Sequence, residues 1–282
     1  MTLAAIEQND YQALTLAFQD VLGVLITEQQ RLSLLAKLHG VMQLQQLGSI
    51  TELAKKIRDP KACELNTDIL DAITVDDSQW FQYPTISHLL HQHVLKNLAN
   101  ESRIWVVGCG EGSLAYSIAM DVAEFNRLNE IDKQVSVVAT DVSADAIKRA
   151  QAGRYCSTQM QGLPERLRAS YMRKCDKQGH VDSALEHLLG EHWEISPKLR
   201  EMVSFEQCDI LNGTDVLGMI DVIICPEVLV YFSSTDRSGL LEKFSRQLSA
   251  GGVFLTAEDQ PIVHDGLERV LHPDGVFYRQ KF

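Results

Sequence analysis

"IWVVGCGEGSLAYSIAM", residues 104–120, decides how the rest of the chain is read. Its first four residues are apolar without a break, as in a strand covered on both faces. Gly108, Gly110 and Gly112 follow at alternate positions, and then an amphipathic run at helical spacing. A strand, a tight turn and a helix in direct succession is the unit of a parallel sheet with helices on its faces. The three glycines let the backbone turn sharply and let a ligand approach it without a Cβ in the way. A nucleotide-type ligand is the first expectation. The dinucleotide fingerprint G-x-G-x-x-G would need glycine where Ser113 stands, which argues against a nicotinamide dehydrogenase.

Working outward, strand and helix patterns alternate from Arg103 onward. Strands are expected at 104–107, 135–140, 203–207, 221–225 and 253–257. Around "HPDG", 272–275, the chain should turn and send 276–282 back as a last strand. Residues 1–75 carry helical periodicity only. Leu14, Phe18, Val21, Leu22 and Leu25 share one face, and Leu32, Leu35 and Leu38 another. Thr27-x-x-Gln30 and Ser49-x-x-Glu52 have the form of capping boxes. The chain thus divides into an N-terminal helical domain (1–75), a linker helix (76–100) and a main domain (101–282). About 172–202 form an insertion, too long for a simple connection. Within it "SALEHLLGEH", 183–192, reads as helical.

Composition narrows the function. With 282 residues and 45% hydrophobic side chains, the chain can bury one large core and one satellite. Lys and Arg number 26 against 38 Asp and Glu, a net charge of −12, so no nucleic-acid partner is expected. Six scattered cysteines without a CxxC read as reduced thiols. The absence of a leader pattern and of an 18-residue apolar run leads to the expectation of a cytoplasmic protein with no direct membrane insertion. No metal centre is expected from His88, His91 and His93, which lack a sequence-adjacent acidic or cysteine ligand. Cys208 and Cys225 at strand ends read as structural thiols rather than nucleophiles. Trp80 and Phe81 either stack on a ligand or pack the linker.

The second strand ends in "ATDVS", which puts Asp141 where two ribose hydroxyls could be held. G-x-G-x-G followed by such a residue resembles the Rossmann-like methyltransferases that use S-adenosylmethionine. Four stretches together resemble one branch of them, the CheR-type chemotaxis receptor methyltransferases. They are "YSIAM" (116–120), "ATDVSADAIKRAQAGRY" (139–155), "PERLRASYMRK" with "ISPKLREMVSFEQCDIL", and "DVIICPEVLVYFSSTDRSGLLEKFSRQLSAGGVFLTAEDQ" (221–260).

The resemblance implies an α/β fold, a Rossmann-like class I methyltransferase sheet with an N-terminal helical domain and a small inserted subdomain. It implies methyl transfer from S-adenosylmethionine, leaving S-adenosylhomocysteine, to glutamate side chains of a chemoreceptor or a related sensory or pilus signalling protein. By the same resemblance Asp141 binds ribose, and Asp209 and Ile210 flank adenine. Glu227 and Val228 line the methionine end, and Asp76 and Ser78, in the segment before the first strand, stand where the family has a cofactor-binding asparagine and threonine. Tyr231 and Gln82 fall at the active centre.

Three departures from the family pattern stand out. Gln82 occupies the place of an arginine, so an amide replaces a charged, bidentate donor. Ser113 and Leu114 replace two glutamates, with Glu111 just upstream. Glu227 replaces an asparagine, which attracts a sulfonium and repels an incoming carboxylate. The family's basic face on an N-terminal helix is thin here, Thr27 to Gly40 offering only Arg31 and Lys37. The alternative reading is a catalytically impaired CheR-like binding or regulatory protein that keeps the fold and the cofactor.

Overall fold

The computed structural model describes residues 8–22, 24–26, 31–74, 79–175, 191–213, 218–257 and 262–281. The chain forms two units. One comprises Met1–Asp76 with Val228–Gly239, the other Asp77–Glu227 with Leu240–Phe282.

The first unit is helical: α1 (Gln8–Ala17), continued by a π-turn (Phe18–Leu22), α2 (Arg31–Leu44), α3 (Ile50–Ile57) and α4 (Cys63–Thr74). Leu14, Phe18, Leu35, Leu38, Leu53, Ile57 and Ile69 are its buried core. Val21, expected on the apolar face, is 43% exposed. The π-turn inserts a residue into the helical repeat and rotates the face that follows. At the start of α3, Ser49 Oγ accepts the Glu52 N–H at 3.1 Å. The Glu52 carboxylate takes the N–H of Gly48 at 2.8 Å, one residue earlier than in a capping box. The Thr27–Gln30 box lies outside the described residues. The late segment completes this unit. A 3₁₀ turn (Val228–Tyr231) accepts the Leu25 N–H on the Tyr231 carbonyl at 2.6 Å, and the Tyr231 ring packs against the helical core.

The second unit begins with α5 (Pro84–Leu89), a π-turn (Leu90–Val94) and α6 (Leu95–Asn97). Then follow β1 (Glu101–Val107), α7 (Ser113–Asn129), β2 (Gln134–Asp141), α8 (Ala144–Ala152), β3 (Arg154–Cys156), α9 (Glu165–Tyr171), β4 (Met172–Lys174), β5 (His192–Ile195) and α10 (Pro197–Arg200). The chain closes with β6 (Val203–Gln207), β7 (Ile220–Ile224), α11 (Ser234–Gln247, in this unit from Leu240), β8 (Leu248–Leu255), β9 (Leu267–His272) and β10 (Gly275–Gln280).

The main sheet has the order β6-β2-β1-β7-β8-β10-β9, parallel except for β10, which runs antiparallel to both β8 and β9. From β1 the chain builds outward through β2 to β6, then returns to the other side of β1 at β7. Strand order therefore reverses between β1 and β7, the place where ligands sit in open α/β sheets.

The structure alters three expectations within this unit. β8 starts at Leu248 rather than 253. β9 was not anticipated: it is an edge strand in which only Leu267 is buried, so its sequence lacks an apolar run. Where it is described, the insertion is mostly strand, with the single helical turn α10 near its end. β4 and β5 join β3 in an antiparallel sheet of order β3-β5-β4, with His192 opposite Cys156. The helix expected over 183–192 is cut at His192 by this pairing, and 183–190 lie outside the described residues. A buried carboxylate fixes α9 to α7: Glu124 accepts from Arg127, Arg166 and Tyr171. Its pKa is lowered to about 2, first by the Arg127 hydrogen bond.

Candidate active site

The carboxyl ends of β1, β2, β6 and β7 bring together most of the residues the sequence singled out. Gly108, Gly110 and Gly112 have φ of 70°, 51° and 94°, a region that favours glycine. The Gly108 and Cys109 N–H groups both donate to the Thr140 carbonyl, at 2.8 and 3.0 Å. The Gly110 N–H donates to Asp141 Oδ2 at 2.8 Å, and the Gly112 N–H to the Cys109 carbonyl at 2.9 Å. Four of the loop's amides are thus spent within the protein. A loop that cradles a pyrophosphate needs such amides directed at the ligand. This loop offers a close backbone surface instead, and fits a cofactor that carries no phosphate.

Asp141 is buried, and two backbone donors fix its carboxylate. Gly110 holds one oxygen, and the Ser143 N–H donates to the other at 3.0 Å. Its own carbonyl accepts the Cys208 N–H at 2.9 Å, tying the ends of β2 and β6 together. A carboxylate has acceptor capacity beyond two bonds, and one held this rigidly suits a vicinal diol. Ser143 doubles as the N-cap of α8, accepting the Ala146 N–H at 3.0 Å. It was missed as a site residue, although Ser before a helical run is a readable capping signal.

Asp209 and Ile210 follow β6. Asp209 caps its own turn, accepting from the Leu211 N–H at 2.9 Å and Asn212 Nδ2 at 2.8 Å, and Ile210 is buried. Ser113 and Leu114 are buried in the first turn of α7. Glu111 does not stand free in their place. Arg149 Nε pairs with its carboxylate at 2.8 Å and Gln159 Nε2 donates to it at 3.0 Å. Gln82 is exposed; next to it the Phe81 N–H donates to Ser117 Oγ on α7 at 3.2 Å. Glu227 is exposed and makes no hydrogen bond or ion pair among the described residues. Asp76 and Ser78 lie outside the described residues. Val228 and Tyr231 belong to the helical unit, where Val228 is half-buried.

The described thiols and phenols whose acidity is shifted all move away from activation. Burial pushes Cys109, Tyr155 and Cys208 up, and Tyr116 up to about 12. Cys109 and Cys208 are therefore thiols rather than thiolates. Trp80 packs: it is buried, donates from Nε1 to the Gln159 carbonyl at 3.0 Å and meets the Tyr155 ring edge-on at 5.0 Å. His91 has an acidic neighbour after all, Asp121 at 3.1 Å, brought by α7. Among the described residues no group of three His, Cys, Asp or Glu could hold a metal ion, and no helix is long and apolar enough to cross a membrane.

Comparison with known proteins bears on the same stretch. Residues 76–270 match the family described as CheR methyltransferase, SAM binding domain. Chemotaxis protein methyltransferase 1 of Pseudomonas aeruginosa is 27% identical over 96% of this chain and 98% of its own length. A chemotaxis protein methyltransferase of Vibrio parahaemolyticus is 25% identical over the full length of both chains. Another, from Listeria monocytogenes, is 28% identical over 76% of this chain and 72% of that one.

Proposed function

Since the chain belongs to the CheR methyltransferase family and is an S-adenosylmethionine-dependent methyltransferase by that membership, we propose that its acceptors are glutamate side chains of a chemoreceptor-like signalling protein. The observation that carries the cofactor half of this reading is the glycine loop with its amides turned inward beside a fixed Asp141.

When bound, S-adenosylmethionine would supply an electrophilic methyl group on a sulfonium, the S–C electrons staying with sulfur as the acceptor oxygen took the carbon. Asp141 takes the ribose hydroxyls, and Asp209 with Ile210 flanks the adenine. The family resemblance assigns Glu227 and Val228 to the methionine end and Asp76 and Ser78 to the cofactor. Gln82 and Tyr231 position the acceptor. A glutamate acceptor is already ionised at neutral pH, so no residue need act as a base. The upward shifts of Cys109, Cys208, Tyr116 and Tyr155, which make each a weaker acid, agree with that. What the protein must supply is alignment of oxygen, carbon and sulfur.

The test is transfer of labelled methyl groups from S-adenosylmethionine to a chemoreceptor cytoplasmic fragment. Wild type should label it, and Asp141→Ala should lower cofactor affinity more than ten-fold. Full affinity in the variant would remove Asp141 from the site.

Glu227 and Gln82 support a second reading, in which the fold and cofactor are kept for binding or regulation. There the wild type labels no receptor even at high enzyme concentration, whereas Glu227→Asn combined with Gln82→Arg gains transfer. Labelling by wild type at an enzyme-like rate would exclude it.

A further inference from the structure

We propose that Glu227 makes this protein discriminate by charge, holding S-adenosylmethionine more tightly than S-adenosylhomocysteine. The inference rests on the cofactor reading above and extends it to which form of the cofactor the site retains.

The placement comes from strand register. β1 and β7 pair in parallel with Ile104 opposite Val222, Trp105 opposite Ile223 and Val106 opposite Ile224. Because the two strands are parallel, Glu227, three residues past the end of β7, follows the same edge of the sheet as the glycine loop that follows β1, where strand order reverses. The chain just before it is fixed. The Cys225 N–H donates to the Leu255 carbonyl at 2.9 Å, and the Pro226 carbonyl accepts from the Ala257 N–H at 3.2 Å and Thr256 Oγ1 at 3.3 Å. Glu227 therefore leaves the sheet from a rigid base.

Three acids at the carboxyl ends of β1, β2 and β6 are occupied, while Glu206, exposed on the outer strand β6, lies two strands from β7. Asp141 binds two backbone amides, Glu111 is paired with Arg149, and Asp209 caps its turn. The cations there are occupied too. Arg149 serves Glu111, and Lys243 donates to the Ile210 and Leu211 carbonyls. Glu206 apart, Glu227 alone among these charged groups has no protein partner among the described residues.

The ligand changes charge as it reacts. The cofactor carries a sulfonium and the product a neutral thioether, so an unneutralised carboxylate near that end attracts one and not the other. Because the attraction fades as the methyl leaves, it stabilises the bound ground state rather than the transition state. The exposure of Glu227 limits the effect to a partly screened pair, roughly five-fold in affinity.

Calorimetric titration of the full chain with each molecule reads this directly, without any acceptor. Wild type should bind S-adenosylmethionine about five-fold more tightly than S-adenosylhomocysteine. Glu227→Gln should erase that preference by weakening the cationic ligand alone, and Glu227→Lys should reverse it. Two ligands bound equally by wild type, or a preference that survives both substitutions, would overturn the inference and leave the cofactor reading standing. Failure of folded wild type to bind either molecule would overturn the cofactor reading and the inference with it.

Discussion

Gly112 and its two companions look like one motif in the sequence, but they answer to different demands. A Cβ on Gly112 would lie 3.0 Å from Ala150 Cβ, 3.1 Å from the Tyr155 hydroxyl and 3.2 Å from Phe205 Cε1, at a φ that side chains rarely adopt. It is glycine so that α7 can pack against α8 and the sheet. Gly108 is exposed and Gly110 half-buried, where a ligand can reach them. Gly112→Ala should therefore cost about 2–4 kcal/mol of folding stability, overlap and backbone strain together. A lowered urea midpoint with unchanged slope would register it, and a shift under 0.5 kcal/mol would mean the helix moves aside easily. The placement of single residues was legible where chain position alone sets it, as for the glycines and Asp141 at strand ends. It was illegible where the partner comes from a distant element. The direction of the Glu111 carboxylate depends on Arg149 and Gln159, and the Asp121 that meets His91 comes from α7.

At the scale of elements, the five expected strands were readable because β1, β2, β7 and β8 each carry an apolar run and β6 alternates apolar with polar residues. The pairs that escaped, β9 and the β3-β5-β4 sheet, are short or exposed, and they are held by partners rather than by their own pattern. The C-terminal hairpin shows how such an element is secured. Gly275, with φ of 149°, sits where a Cβ would come within 2.6 Å of Thr85 Cγ2 on α5. The His93 ring, in the π-turn, lies 4.6 Å from Phe277 and 5.4 Å from His272, with Arg279 Nη2 at 3.3 Å from its Nε2. Asp274 pairs with His272 at 3.4 Å, so the groups facing His93 are one cation, one histidine and, behind it, one carboxylate. Burial, then His272 and Arg279, lowers the His93 pKa. The unfolded chain binds that proton more readily, so the contact's stability is present above the unfolded value of about 6.5 and lost as pH falls through the lower folded value. Urea midpoints should accordingly drop between pH 7 and 5 more steeply for wild type than for His93→Phe, which keeps the ring without the titration. Parallel slopes would remove His93 from the acid response.

At the scale of the molecule, the chain divides at 76/77, where its helical periodicity ends, and again at a late segment that no change of pattern marks. The helical unit holds residues 1–76 and also 228–239, so a late segment lies in an early core. Tyr231 packs there and its carbonyl takes the Leu25 N–H. A fragment of residues 1–76 should then be helical by circular dichroism but unfold broadly in urea, and a peptide spanning 228–239 should sharpen the transition. A steep transition in the fragment alone would show that the late segment adds little. No periodicity within 1–75 could announce this, because the missing contact lies on the far side of the sheet-forming sequence. During synthesis the same arrangement imposes a wait. After the N-terminal helices emerge, roughly 160 more residues must be translated before their completing segment exists, on the order of ten to thirty seconds at 5–20 residues per second. Through that interval the nascent helices carry an unfinished apolar surface, and a chaperone bound to the growing chain has its natural hold there.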